Sequence, residues 1–480
     1  MNKKTTAMLM VLSMLIGAGG TYAGMQLAAP DGDHDLSLVA SDKTLTDNEE
    51  KELKKVEQAY ELIKSRYVEK VDDDKLIQGA IQGMISTLND PYSVYMDEKT
   101  TEQFNESLDS SFEGIGAEVS MIDGKVTIVA PIKNSPAEKA GLKPNDQILR
   151  VNGESLEGLD LYEAVLKIRG KKGTTVQLDV LRPGVKDVIK VKVVRDEIPI
   201  ETVYDSVKTY NGKKVGYLEV TSFSENTAQD FKKKLAKLEE DHIDGLIIDV
   251  RGNPGGYLQS VEEILKQFIP KDKPYVQIEE RNGDKQRFYS DLTAKKPYPI
   301  VVLIDKGSAS ASEILAGAMK EAGGYKLVGE TSFGKGTVQQ AIPMGDGSNI
   351  KLTLYKWLTP DGHWIHKKGV KPDVEVKQPD YFHASPLHIE KALSFDMNNE
   401  QVKNAQQMLK GIGFDPGRTD GYFSKETEAA VKAFQKANKL PPTGKIDKNT
   451  ADVLQAKVME AIRNEDNDVQ LKTAMKVLFQ

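Results

Sequence analysis

A chain of 480 residues without a single cysteine has no thiol nucleophile, no thiolate metal ligand and no disulfide, so covalent chemistry falls to oxygen or nitrogen. Suitable groups gather in three segments. In Gly307-Ser308-Ala309-Ser310-Ala311-Ser312-Glu313-Ile314, small residues follow an apolar run and bring a hydroxyl to a helix N-terminus, with its orphan N–H donors and positive dipole end. Arg251-Gly252-Asn253-Pro254-Gly255-Gly256 is a turn whose glycines can point N–H groups at an anion. In Phe333-Gly334-Lys335-Gly336-Thr337-Val338-Gln339, an extended backbone puts Lys335, Thr337 and Gln339 on one face, so the Gln339 amide can reach towards the lysine amine. A serine, a lysine base and an orienting amide make a Ser-Lys nucleophilic site. Ser308, Ser310 and Ser312 compete for the helix cap, and composition does not choose the nucleophile among them.

A lysine is a base near neutral pH only when its amine is uncharged, which requires burial to bring its pKa several units below about 10.4. The apolar and glycine neighbours of Lys335 permit that. Of the six histidines, His34 falls in an N-terminal stalk, and His242, His363, His366, His383 and His388 lie outside all three segments. A Ser-His-Asp site through His363 or His366 is the competing chemistry, because triad order is not fixed by sequence. No H-E-x-x-H or comparable ligand spacing occurs, so neither a metal nor a cofactor is expected.

The elements that must position these loops read as a layered α/β unit. Lys214 to Val220, Gly245 to Val250 and Pro299 to Asp305 are strands, the last two apolar enough to be buried on both faces. Helices alternate with them at Ala228 to Glu240, Leu258 to Phe268 and Ser312 to Ala322. Between Leu45 and Met96 the chain reads as helix, with Leu53, Val56, Tyr60, Ile63 and Tyr67 in a narrow stripe. Such a seam either rests on its own domain or joins two copies into a homodimer. The N-terminus has Lys3 and Lys4 before an uncharged stretch from Thr5 to Pro30 with an apolar heart, which fits a signal peptide or an uncleaved signal anchor. Either exports the rest. With 39% hydrophobic and 29% charged residues and a net charge of −7, soluble domains are expected, and nucleic acid is not a partner.

Ser135-Pro136-Ala137-Glu138-Lys139-Ala140-Gly141-Leu142, followed by Asp146-Gln147-Ile148-Leu149-Arg150-Val151-Asn152-Gly153 and preceded by Gly114-Ile115-Gly116, resembles a PDZ domain. The resemblance implies that a peptide C-terminus adds as a strand beside Ala117 to Val119. Its carboxylate would be held by backbone N–H groups of the glycine turn, a peptide site of Gly114, Ile115, Gly116, Ala117 and Val119.

With that domain in front, the three loops together resemble the carboxy-terminal processing, or tail-specific, serine proteases: D-V-R-G-N-P-G-G, G-S-A-S-A-S-E-I and F-G-K-G-T-V-Q. The resemblance implies a crotonase/ClpP-like α/β core in which Ser310 is the nucleophile, Lys335 the general base and Gln339 the residue orienting it. The oxyanion hole would use the N–H of Ala311 and that of Gly255, with Asp249 and Arg251 as braces for the turn. A catalytically inactive, wall-bound PDZ scaffold is the reading from another class. A crotonase-like acyl transferase finds no nucleotide-carrier signature.

From Met397 to Ile462, Val402, Asp420-Gly421, Phe423, Phe434-Gln435 and Thr443-Gly444 resemble a three-helix peptidoglycan-binding domain, which implies peptidoglycan as a second partner. The expected organisation is multidomain α/β: leader 1–30, helical segment 31–95, PDZ domain 96–194, protease core 195–390, peptidoglycan-binding-like domain 397–462 and tail 463–480. Val477-Leu478-Phe479-Gln480 resembles the remnant of a cleavable tag and is given no function.

Overall fold

The structure is a computed structural model that describes residues 46–480 except 109, 110, 123, 133, 160, 184 and 186; the expected leader over 1–30 and His34 lie outside the described residues. Helix α1 (Asp47–Arg66) starts at Thr46 with a reciprocal Thr46–Glu49 cap, carries acids in its first turn and ends on Lys64 and Arg66, so both ends suit its dipole. None of its residues is buried, and Leu53, Val56, Ile63 and Tyr67 remain 41–60% exposed. Among the described residues, nothing buries the stripe. Helix α2 (Asp73–Ser86), capped by Asp72, leads into strand β1 (Val94–Met96) and helix α3 (Glu98–Leu108).

The next unit hangs on a two-stranded stem in which β2 (Ser111–Gly114) pairs antiparallel with β9 (Asp196–Pro199). Between them run β3 (Ala117–Ile122), β4 (Lys125–Pro131), helix α4 (Pro136–Lys139), β5 (Gln147–Val151), β6 (Glu154–Ser155), helix α5 (Leu161–Ile168), β7 (Thr175–Leu181) and β8 (Ile189–Val194). The sheet order is β3-β4-β5-β7-β8, which leaves β3 at an edge, and Ile128, Ile148, Leu178 and Val180 fill the centre.

The core comprises β10 (Val203–Tyr210), β11 (Lys213–Val220), α6 (Thr227–Glu240), β12 (Gly245–Asp249), α7 (Leu258–Leu265), β13 (Val276–Glu279), β14 (Lys285–Phe288), β15 (Ile300–Ile304), α8 (Ala311–Glu321), β16 (Lys326–Gly329), β17 (Thr337–Pro343), β18 (Asn349–Leu358) and β19 (Val374–Glu375). One sheet runs β10-β11-β12-β15-β16-β19, parallel from β11 onward. Every residue of β12 and β15 is buried, as the nearly continuous apolar runs Leu246–Ile248 and Ile300–Ile304 require. Helices α6, α7 and α8 cover one face. The second sheet joins β18 to β13, to β17 and to β1, whose residues Val94, Tyr95 and Met96 pair with Lys351, Ile350 and Asn349. The N-terminal segment therefore ends inside a sheet of the core.

Helices α9 (Glu400–Gly411), α10 (Lys425–Ala437) and α11 (Lys448–Arg463), capped by Asn399, Ser424 and Asp447, close around Val402, Leu409, Phe423, Phe434 and Leu454. The tail then returns to the core as α12 (Val469–Leu478). Leu471, Ala474 and Leu478 seal the second face of the parallel sheet over Val215, Ile247, Val301, Leu303 and Val328. Phe479 stacks on Tyr210 with ring centres 6.3 Å apart. The segment set aside as a tag-like remnant is structural: a methyl group at Gly245 would lie 2.8 Å from Leu478.

Candidate active site

Strand β15 delivers the serine-rich loop, and Asp305 at its end pins that loop to the glycine turn. Its Oδ1 accepts the N–H groups of Gly252 (2.8 Å), Gly307 (2.9 Å) and Ser308 (3.1 Å). The three serines then separate by environment. Ser308 and Ser312 are fully buried and donate to backbone carbonyls at the glycine turn and just before it, Ser308 to Val250 O at 2.8 Å and Ser312 to Asn253 O at 2.9 Å. Ser310 is half-buried and sits at φ 55°, ψ −113°, a strained position for a residue with a side chain. Gly255, at φ 108°, packs so closely on it that a Cβ there would lie 2.9 Å from Ser310 Cβ. Ala311 begins α8, where the N–H has no partner within the helix. The Gly255 N–H donates to Asn253 Oδ1 at 2.8 Å, so in this state it already has an acceptor.

Glu313, fully buried in the first turn of α8, ties this loop to the lysine segment. Its Oε2 accepts the N–H of Ser310 (2.9 Å) and the N–H of Lys335 (2.8 Å). Its Oε1 accepts the Gly334 N–H (2.6 Å) and the Ser332 hydroxyl (2.5 Å). Lys335 and Ser310 thus share one acceptor through their backbones. Between their side chains no hydrogen bond is present among the described residues. The Lys335 amine lies 4.9 Å from the centre of the Tyr92 ring, contributed by the turn before β1. Burial pushes the Lys335 ammonium down to about 8, helped by the positive charge of Lys351 and opposed by the carboxylates of Asp90 and Glu313.

Around the lysine stand aromatic side chains. Trp357 Nε1 donates to Lys335 O and Trp364 Nε1 to Gly336 O, both at 2.8 Å. His366 stacks on Trp364 and meets Tyr92 edge-on. Its Nδ1 is buried without a hydrogen-bond partner among the described residues, and burial pushes its pKa down. His363 instead lies at Glu321, with its Nδ1 3.0 Å from Oε1. Gln339 does share a face with Thr337, but its amide nitrogen donates to Thr337 Oγ1 and Thr353 Oγ1 at 3.0 Å each, and no hydrogen bond joins it to the lysine amine among the described residues. Ser93 links the N-terminal turn to the same strand: it donates to Asp90 Oδ2 at 2.6 Å and accepts the Thr353 N–H at 3.0 Å.

At the expected peptide site, Gly114 closes the stem and Gly116, at φ 72°, turns the chain into edge strand β3. A Cβ on Gly116 would lie 2.5 Å from Ser135 Cβ. Ile115 is buried in the PDZ core and offers only backbone. Ala117 and Val119 lie on β3, which pairs with β4 alone among the described strands, so its other edge can take an added strand. Arg169 lies over the ring of Phe112 in the stem, 4.9 Å from its centre.

Sequence reasoning missed Glu313, although its place three residues after Ser310 is capping-box spacing. It also missed Tyr92, for which no local signal exists.

Comparison with known proteins supplies the class. A model described as peptidase family S41 matches residues 214–376. Others, described as the activating protease CtpB N-terminal domain, a PDZ domain and a putative peptidoglycan binding domain, match 14–100, 114–193 and 398–454. The carboxy-terminal processing protease CtpB of Bacillus subtilis is 61% identical over 479 residues, with 100% of both chains covered. CtpA of the same organism is 46% identical over 88% of this chain and 90% of its own. A solved photosystem II D1 C-terminal processing protease matches at 25% identity over 67% of this chain and 92% of its own, with a TM-score of 0.41. The class is that of serine peptidases with an attached PDZ domain. Within it, the chain belongs to the S41 family of carboxy-terminal processing proteases.

Proposed function

We propose that this is an exported endopeptidase of Ser-Lys type that recognises polypeptides by their C-terminal tails. The observation that carries the mechanism is the convergence of the Ser310 and Lys335 N–H groups on one oxygen of Glu313, with Ser310, alone of the three loop serines, not donating its hydroxyl to a backbone carbonyl among the described residues. Neutral Lys335 takes the Ser310 proton as Oγ attacks the scissile carbonyl carbon. The tetrahedral oxyanion is held by the Ala311 N–H and by that of Gly255 once it turns from Asn253. The intermediate collapses as the Lys335 ammonium gives its proton to the departing amine, leaving an ester on Ser310. Water, deprotonated by Lys335, then hydrolyses the ester. Gln339 orients the lysine when the amine leaves Tyr92 for the serine, a tightening expected on substrate binding.

Export rests on the leader sequence and agrees with the peptidoglycan-binding domain, for which cell-wall glycan is the proposed second ligand. The exposed stripe on α1 supports self-association into a dimer. Peptides identical but for a free or amidated C-terminus, incubated with the full chain and read by mass spectrometry, test tail recognition and chemistry together. The free acids should be cleaved faster, and Ser310→Ala should cleave neither. Activity of Ser310→Ala at the parental rate would overturn the mechanism, and equal cleavage of acid and amide would remove the tail-binding role.

A further inference from the structure

The glycine turn is braced from outside the protease loops. Arg251, immediately before Gly252, is mostly buried, its side chain 16% exposed, and its guanidinium fans out over three acceptor residues. Nε and Nη2 donate to Asp249 at 2.6–3.0 Å. Nη1 donates to Asp468 Oδ1 and Gln470 Oε1, both at 3.0 Å, and Nη2 donates to Asp468 Oδ2 at 2.8 Å. Asp468 is itself fixed by the Gln378 amide at 2.6 Å and by the Leu471 N–H, which it caps at 2.8 Å. Gln470 is fixed by donating to Val376 O at 2.8 Å. The brace residues therefore stand at the start of α12, more than two hundred positions along the chain, on the helix that seals the parallel sheet.

We propose that Asp468 and Gln470 are positioning residues for the oxyanion turn, acting through Arg251 to hold Gly252 to Gly255 packed against Ser310, the place from which the Gly255 N–H can turn to an oxyanion. A buried guanidinium keeps one geometry only while its carboxylates are in place. Arg251 has its backbone N–H on Asp249 at 2.9 Å, so a displaced side chain carries the turn's entry with it. The other side of the turn is already locked, since Asn253 O accepts from Ala309 N–H and Ser312 Oγ. α12 supplies the remaining fixed point. The inference rests on the oxyanion role proposed above for Gly255.

Asp468→Asn tests it selectively, because asparagine Oδ1 still caps Leu471 while the acceptor for Arg251 Nη2 is lost. In the full chain, kcat per titrated active site should fall on the order of ten- to a hundredfold with KM held within about twofold, the size expected for a misplaced transition-state donor. A peptidyl boronate, which forms a tetrahedral adduct on the serine, should weaken by the same factor. Gln470→Ala, which removes a single bond to Arg251, should move the same quantities less. Asp466→Asn, whose carboxylate is exposed and does not touch Arg251, should leave them unchanged. Amide hydrogen exchange at Gly252, Asn253 and Gly255 should be faster in Asp468→Asn than in the parent. That measurement decides the brace even if the parent proves unable to hydrolyse peptides, which would sink the oxyanion reading alone. Unchanged kcat and exchange in Asp468→Asn, or a loss of rate fully accounted for by fewer titratable sites, overturns the proposal.

Discussion

Replacing Lys335 by methionine should make the protease core more stable at neutral pH while abolishing its activity. Burial brings the Lys335 ammonium from 10.5 down to about 8, which corresponds to about 3 kcal/mol favouring the neutral amine. The sign follows from which state holds the proton. Below about pH 8 the lysine is charged in both folded and unfolded chains, and the folded one carries the whole desolvation cost. Between about 8 and 10.5 only the unfolded chain keeps the proton, so stability rises with pH, and above 10.5 the cost is gone. Lys335→Met should therefore gain up to about 3 kcal/mol at pH 7, and the gain should shrink to nothing as pH approaches 10.5. The chain's two tryptophans, Trp357 and Trp364, hydrogen-bond to Lys335 O and Gly336 O, so tryptophan fluorescence in urea reports this region and not the outlying domains. The parent's kcat should follow the same ionisation, rising close to tenfold between pH 7 and 9 around a midpoint near 8. A methionine variant no more stable at pH 7, or one whose advantage does not fade with pH, would refute the buried-lysine argument, as would a rate that is flat across this range.

Ser308→Ala and Ser312→Ala should lose about 1–3 kcal/mol of stability, measured by urea titration, because each leaves a buried backbone carbonyl with one partner fewer, yet both should retain turnover. Glu313→Gln should cut kcat on the order of a hundredfold by unfastening the serine and lysine loops, and the residual rate should have its acidic limb moved to lower pH, since a carboxylate that favours the lysine cation is gone. His366→Ala should leave that limb in place; its disappearance would move the base role to the histidine. Val56→Asp with Ile63→Asp should turn a dimer into a folded monomer, followed by light scattering and circular dichroism, because nothing within the described chain covers α1.

What could be read from the sequence was what lies contiguously along it. Each of the three loops is a short string whose glycines and small residues announce a turn, and the buried strands β12 and β15 are nearly continuous apolar runs. The choice among Ser308, Ser310 and Ser312 was not legible without the family resemblance, because burial and backbone angle distinguish them and neither shows in composition. Tyr92 was invisible for a different reason. It reaches the lysine only because a three-residue strand, too short to display alternation, pairs with β18 some 260 positions later. Asp468 and Gln470 were hidden likewise, in a tail whose helix shows its purpose only against the sheet it covers.

The shared oxygen of Glu313 makes the serine and lysine backbones a single mechanical part. Pulling them apart would strand a buried carboxylate, so the spacing between Ser310 Cα and Lys335 Cα is not where such an enzyme can be adjusted. In the proposed mechanism the freedom that remains is in the torsions of one lysine side chain, which must pass from its pose over Tyr92 to one on Ser310. On that mechanism, activity follows a rotamer population. A tenfold change in rate needs only about 1.4 kcal/mol of bias between two poses, comparable to one hydrogen bond gained or lost beside Tyr92.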